Sequence, residues 1–184
     1  MLRSLLAVLF SLLAVGCTCQ QQKPFRKFWR QHIKKTYNWV LADSEAAKYQ
    51  ENETEARAYL RTLRGMDSPY AVANQLQTDG FHWHAESVDF TSYAWVTIAR
   101  KRGDCDDFMC LWEAVLKYKG RTKRVSVSSK EDRAHAMLMF YPEGSPTVIY
   151  LLSNSRVLGS GRPGDEDRLI RLFYGDKTDC YILY

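Results

Sequence analysis

Apolar residues recur at helical spacing through roughly the first two thirds of the chain and at strand spacing through the rest. Phe25, Phe28, Trp29, Ile33, Tyr37, Val40 and Leu41 repeat every three or four positions, which predicts an amphipathic helix with a basic opposite face. Asp43 or Ser44 can cap a second helix running to about Arg64, with Ala56, Tyr59, Leu60 and Leu63 inward and Gly65 as its stop. Ser68-Pro69 opens a third, because serine accepts an orphan N–H and proline suits the first turn, and Asp79-Gly80 should end it. Thr91–Lys101 reads as a fourth helix, with cations at its C-terminal end, and a fifth runs from Asp104-Cys105 to Gly120.

Beyond Gly120 the period changes. Arg124–Ser128 and Ala134–Tyr141 alternate, and Val148–Leu152 is a continuous apolar run of buried-strand type. Pro142-Glu143-Gly144-Ser145-Pro146 reads as the hairpin connection between the last two. Arg156–Leu158, Arg168–Tyr174 and Tyr181–Tyr184 are read as further strands. Helices first and an antiparallel sheet second predict an α+β fold, a helical N-terminal half packed on the sheet.

Residues 1–16 stand outside this pattern. Arg3 precedes eleven mainly apolar residues, Leu5–Val15, too few to span about 30 Å of hydrocarbon but right for a signal-peptide core. The run ends in Ala14-Val15-Gly16-Cys17, which resembles the lipobox of bacterial lipoproteins, although Ala14 stands where leucine is usual. The resemblance implies cleavage before Cys17 and lipidation of that cysteine. The chain then divides into a signal peptide (1–16), a lipidated tether (17–24) and one domain (25–184). Export to a bacterial or phage-encoded cell-envelope location follows, with the Lys23–Lys35 basic cluster close to a membrane surface.

A formal net charge of +5 is modest, and no basic tract is interleaved with stacking aromatics, so nucleic acid is not the expected partner. Five cysteines in an exported chain normally suggest disulfides. With Cys17 lipidated and Cys105 reserved for chemistry, Cys19, Cys110 and Cys180 leave room for one bridge at most. His82 and His84 share a strand face, and Asp79, Glu86 or Asp89 could complete a zinc set, but no second ligand pair stands at metal spacing. No metal and no other cofactor is expected.

The chemistry gathers at Gly103-Asp104-Cys105-Asp106-Asp107-Phe108. Asp104 can cap the helix, and Cys105 then sits in its first turn, where unpaired N–H groups and the positive dipole end favour thiolate. Asp106 and Asp107 complement the dipole while opposing thiolate by like charge. A cysteine nucleophile needs a base, and the base needs an orienter. If the strands around 134–141 and 147–153 form a hairpin, His135 and Asn154 meet on one sheet edge.

The run GDCDDF opening a helix, followed by His135 in AHAMLMF and Asn154 in YLLSNSRVL, resembles the transglutaminase-like cysteine peptidase superfamily over about Phe90–Gly159. That resemblance implies a papain-like core and a Cys105–His135–Asn154 site acting on amide or isopeptide bonds of proteins, peptides or peptidoglycan. Asn154 replaces the aspartate common there, so its amide would orient the imidazole without adding charge. Unlike the calcium-dependent animal members, the chain carries no calcium loop. Trp83, Trp95, Gln75 and Gln77 are candidate donors to an oxyanion, beside the Cys105 N–H. The competing reading is a non-catalytic envelope or virion lipoprotein whose groove binds peptides or scaffolds a partner.

Overall fold

A computed structural model describes residues 34–86, 90–129, 134–175 and 178–183. Cys17, the signal segment and the tether lie outside them. The chain divides into two compact units, residues 1–41 and Ala42–Tyr184. The second holds the candidate site and the whole of the sheet. Among the described residues no helix is long and apolar enough to cross a membrane.

Helix α1 (Lys34–Lys48) continues through Asp43 and Ser44, where a new helix was expected to start. The stretch Ala42-Asp43-Ser44-Glu45-Ala46-Ala47 is good helix material, and Asp43 spends its carboxylate on the Tyr93 hydroxyl instead of on a cap. The break falls later, at a single 3-10 turn (Gln50–Asn52) ahead of α2 (Glu53–Gly65). Helix α3 (Pro69–Thr78) begins as its sequence dictates: Ser68 Oγ accepts the Ala71 N–H at 3.2 Å with proline in the first turn. Gly80, at φ 82°, turns the chain beyond it.

A short strand β1 (His82–Trp83) leads toward α4 (Ala94–Arg100). Then β2 (Arg102–Gly103) pairs parallel with β1 and delivers the chain to α5 (Cys105–Leu116). Strands β3 (Gly120–Ser129), β4 (Ala134–Pro142), β5 (Ile149–Ser153) and β6 (Arg156–Gly161) follow, then α6 (Glu166–Tyr174) and β7 (Thr178–Leu183). The five strands form one antiparallel sheet ordered β6-β5-β4-β3-β7. The expected α+β architecture, with the cysteine-bearing helix on an antiparallel sheet, is the one observed.

One segment differs in kind. Arg168–Tyr174 was read as a strand and is helical, because Leu169 and Ile170 turn inward together while Leu172 and Phe173 face out, a pattern that a period of two forbids. Glu166 and Asp167 in its first turn, and Gly175 donating to Arg171 O beyond its end, close the helix.

The alternation of the strands splits the core into two layers. Leu138, Phe140 and Leu152 face α2, α3, α4 and α5, against Leu63, Leu76, Phe108, Leu111, Trp112 and Val115. Met137, Met139, Ile149 and Leu151 face the other way and pack with Val125, Val127, Leu169 and Ile170. Each fully buried Leu or Ile in these layers is worth about 2–5 kcal/mol against alanine.

Candidate active site

Helix α5 starts where Asp104 Oδ1 accepts the N–H groups of Asp106 and Asp107 at 3.3 and 3.4 Å. Cys105 is therefore the first helical residue, half-buried. It lies close enough to β4 to feel the backbone of Ala136, one residue beyond His135. Burial pushes the Cys105 thiol up, and the Asp104 and Asp106 carboxylates add to that, while the Ala136 N–H and its own N–H pull it down. The helix-start advantage expected for thiolate is outweighed here, and the group rests as a thiol.

A buried ion network fixes this first turn from behind. Asp107 is fully buried and takes the Ser92 N–H at 2.6 Å and Arg100 Nη2 at 2.6 Å. The Arg100 guanidinium, 5% exposed, also reaches Ser92 Oγ at 3.0 Å, Glu86 at 2.7 Å and Glu45 at 3.5 Å. Thr91 donates its hydroxyl to Asp106. Gly103 has no room for a side chain, since a Cβ there would stand 2.7 Å from Asp107 Cβ and Oδ2. Sequence patterns assigned Arg100 and Asp107 only to helix dipoles. Their pairing needs the turn between α4 and α5, which no spacing rule encodes.

Carboxylates outnumber cations at this point. Asp104, Asp106 and Asp107 bring one oxygen each within 4.8 Å of one another, and among the described residues they are the set that could hold a hard cation. Burial and the two neighbouring carboxylates push Asp104 up to about 8, and burial with Asp107 close by pushes Glu86 up to about 7. The zinc grouping considered around His82 and His84 does not assemble from the described residues. His82 Nδ1 lies 3.1 Å from Gly80 O, Asp79 binds Tyr59 and Gln75, and Glu86 is taken by Arg100.

His135 lies across the opening between β4 and β5. Their ladder covers only Leu138–Phe140 against Tyr150–Leu152, so the strands are unpaired ahead of it. The contact expected from Asn154 is made by its neighbour: His135 Nε2 stands 2.6 Å from Ser153 Oγ. Asn154 opens the two-residue turn between β5 and β6 at φ 49°, a conformation asparagine tolerates, and its side-chain Oδ1 is buried without a partner. Its backbone carbonyl accepts Trp112 Nε1 at 2.6 Å, which ties the turn to α5. Tyr174 completes the group. Its ring lies 5.5 Å from the His135 ring, and its phenol is pushed up chiefly by burial and also by the neighbouring Cys105, with Ser153 pulling the other way. Burial alone lowers His135, so the imidazole is neutral.

Two of the four candidate oxyanion donors are committed elsewhere, Gln75 to Asp79 at 2.8 Å and Gln77 to Ser155 O at 3.2 Å. Trp95 is buried in the helical layer beneath Arg57, whereas Trp83 is exposed on β1, paired with Gly103.

No family model and no curated protein matches the chain. Solved structures similar to it include EGTA-treated Legionella pneumophila LapG, at 18% identity and a TM-score of 0.43 over 66% of this chain and 72% of that one. The calcium-bound form of the same protein is similar at 15% identity and a TM-score of 0.42, over 75% of this chain and 98% of that one. A Cytophaga hutchinsonii protein is similar at 13% identity and a TM-score of 0.41, over 72% and 46% of the two chains.

Proposed function

We propose that this chain is an exported cysteine hydrolase or acyltransferase of the transglutaminase-like type, acting on amide or isopeptide carbonyls of a protein, peptide or peptidoglycan substrate. Lipid on Cys17 holds it to a membrane, with the Lys23–Lys35 basic cluster against the bilayer surface. The observation that carries the reading is Cys105 at the capped start of α5, near the backbone of Ala136 and so near the half-buried His135 that precedes it on β4.

His135 takes the thiol proton as sulfur bonds to the carbonyl carbon. The oxyanion that forms is met by backbone N–H groups at the helix start, Cys105's own among them. As the C–N bond breaks, His135 returns the proton to the leaving nitrogen, leaving a thioester on Cys105. Water or an amine then attacks the thioester, loses its proton to His135, and expels the sulfur, which recovers that proton. The resting pair is thiol and imidazole, not an ion pair, so proton transfer accompanies attack.

Alkylation at neutral pH tests this. Cys105 reacts with iodoacetamide on the order of ten times faster than the half-buried Cys110, whose thiol is pushed up to about 11 by desolvation, and His135→Ala abolishes that advantage. Equal rates with and without His135 would sink the enzyme reading in favour of a peptide-binding or scaffolding groove. Anchoring is tested separately: Cys17→Ala releases the protein from membranes, and unchanged retention would overturn the lipid assignment.

A further inference from the structure

We infer that Ser153 is the positioning residue for His135: it holds the imidazole as the Nε2–H tautomer and so leaves Nδ1 as the nitrogen that exchanges a proton with Cys105. This rests on the cysteine-hydrolase reading above and names the member of the site that Asn154 was expected to be.

Four observations converge. The Ser153 hydroxyl is the polar group on His135 Nε2, at 2.6 Å, and Ser153 is only 5% exposed, so water does not compete freely for the contact. Ser153 follows the alternation of Ile149 and Leu151, which directs it to the face occupied by α6, and there it neighbours the Tyr174 phenol. The Tyr174 ring covers the imidazole at 5.5 Å. Asn154 stands in the turn at φ 49° with its backbone carbonyl bound by Trp112 and its side-chain Oδ1 without a partner.

Ser153 occupies Nε2, so Nδ1 is the nitrogen left for Cys105, and a base there carries no proton; the ring proton then sits on Nε2 and is donated to the serine oxygen. The reverse order, Tyr174 to Ser153 to an unprotonated Nε2, would put the proton on Nδ1 and leave the neutral ring without an acceptor for the Cys105 thiol. The first order alone is compatible with a base beside the nucleophile. It also accounts for a histidine that is oriented without an aspartate, by a hydroxyl that adds no charge, while burial keeps the ring neutral.

The test reads the tautomer directly. Long-range 1H–15N spectra of the full-length protein at about pH 8, above the ordinary imidazole range, assign His135 against the other three histidines by single His→Gln variants. The parent shows Nε2–H. Ser153→Ala gives a mixture of tautomers and slows iodoacetamide capture of Cys105 by about tenfold. Tyr174→Phe, which keeps the ring over His135, also loosens the tautomer and serves if Ser153→Ala does not fold. Asn154→Gly, which keeps the turn, leaves the parent spectrum. An Nδ1–H signal in the parent overturns the assignment, as does loss of the Nε2–H form in Asn154→Gly alone or its persistence in both Ser153→Ala and Tyr174→Phe. A fixed Nε2–H signal together with Cys105 reactivity that ignores His135→Ala would instead defeat the enzyme reading and leave the Ser153 contact standing.

Discussion

The two halves of the site are held by different physics. Around the first turn of α5, side-chain charges do the holding: Asp107 and Arg100 are almost fully buried, and one guanidinium serves Glu45, Glu86 and Asp107 at once. Around His135, neutral groups do it, the Ser153 hydroxyl at the end of β5 and the Tyr174 phenol ring at the end of α6. The lesson is one of separation. Geometry at the sulfur is set by ions paired behind it, whereas the protonation state of the base is set by groups that bring no charge, so strengthening one half does not retitrate the other.

The largest effect expected from breaking that division is at Arg100. Arg100→Met leaves Asp107 and Glu86 buried without their cation and costs about 3–5 kcal/mol of folding stability, read from urea unfolding. A loss under about 1 kcal/mol would mean that the network is solvated and does not fix the nucleophile turn. On the neutral side, Asn154→Val forces a β-branched residue into the left-handed region and costs about 1–2 kcal/mol, whereas Asn154→Gly stays near the parent. Equal stability of the two would show that the turn adopts another backbone.

The same division can be read by pH. Asp104 has its folded carboxyl raised toward about 8, so the folded state holds that proton more tightly than the unfolded chain does. Its contribution is therefore fully present below the unfolded value of 3.8 and is lost as pH rises toward 8. Asp104→Asn keeps a cap and removes this dependence. Melting temperatures between pH 5 and pH 9, as an approximate working range, should fall more steeply for the parent than for the variant. Parallel slopes would show that Asp104 is ionised throughout, held so by a partner.

Local rules were enough to find Cys105 at a helix start and the Asp104 cap, because capping and the dipole act within one turn. They were also enough for Ser68-Pro69, for the antiparallel pairing of the strands that carry His135 and Ser153, and for the layered α+β architecture, since alternation and helical periodicity are written residue by residue. They failed at Arg168–Tyr174, where a short apolar run fits either period and only the packing of Leu169 and Ile170 on the sheet decides.

What only the tertiary structure decided is which neighbours the reactive groups have. Asn154 and Ser153 are adjacent in sequence, and the choice between them as the histidine's partner turns on a backbone φ of 49° and on strand parity. Arg100 and Asp107 are seven residues apart and meet because the β2 turn folds α4 back beside α5, with glycine at 103 for lack of space. The sequence by itself determined that a thiol, an imidazole and a hairpin would be present at capped and alternating positions. Whether that thiol is acidic, and which oxygen steers that imidazole, depended on burial and on contacts between distant segments, quantities that no local pattern contains.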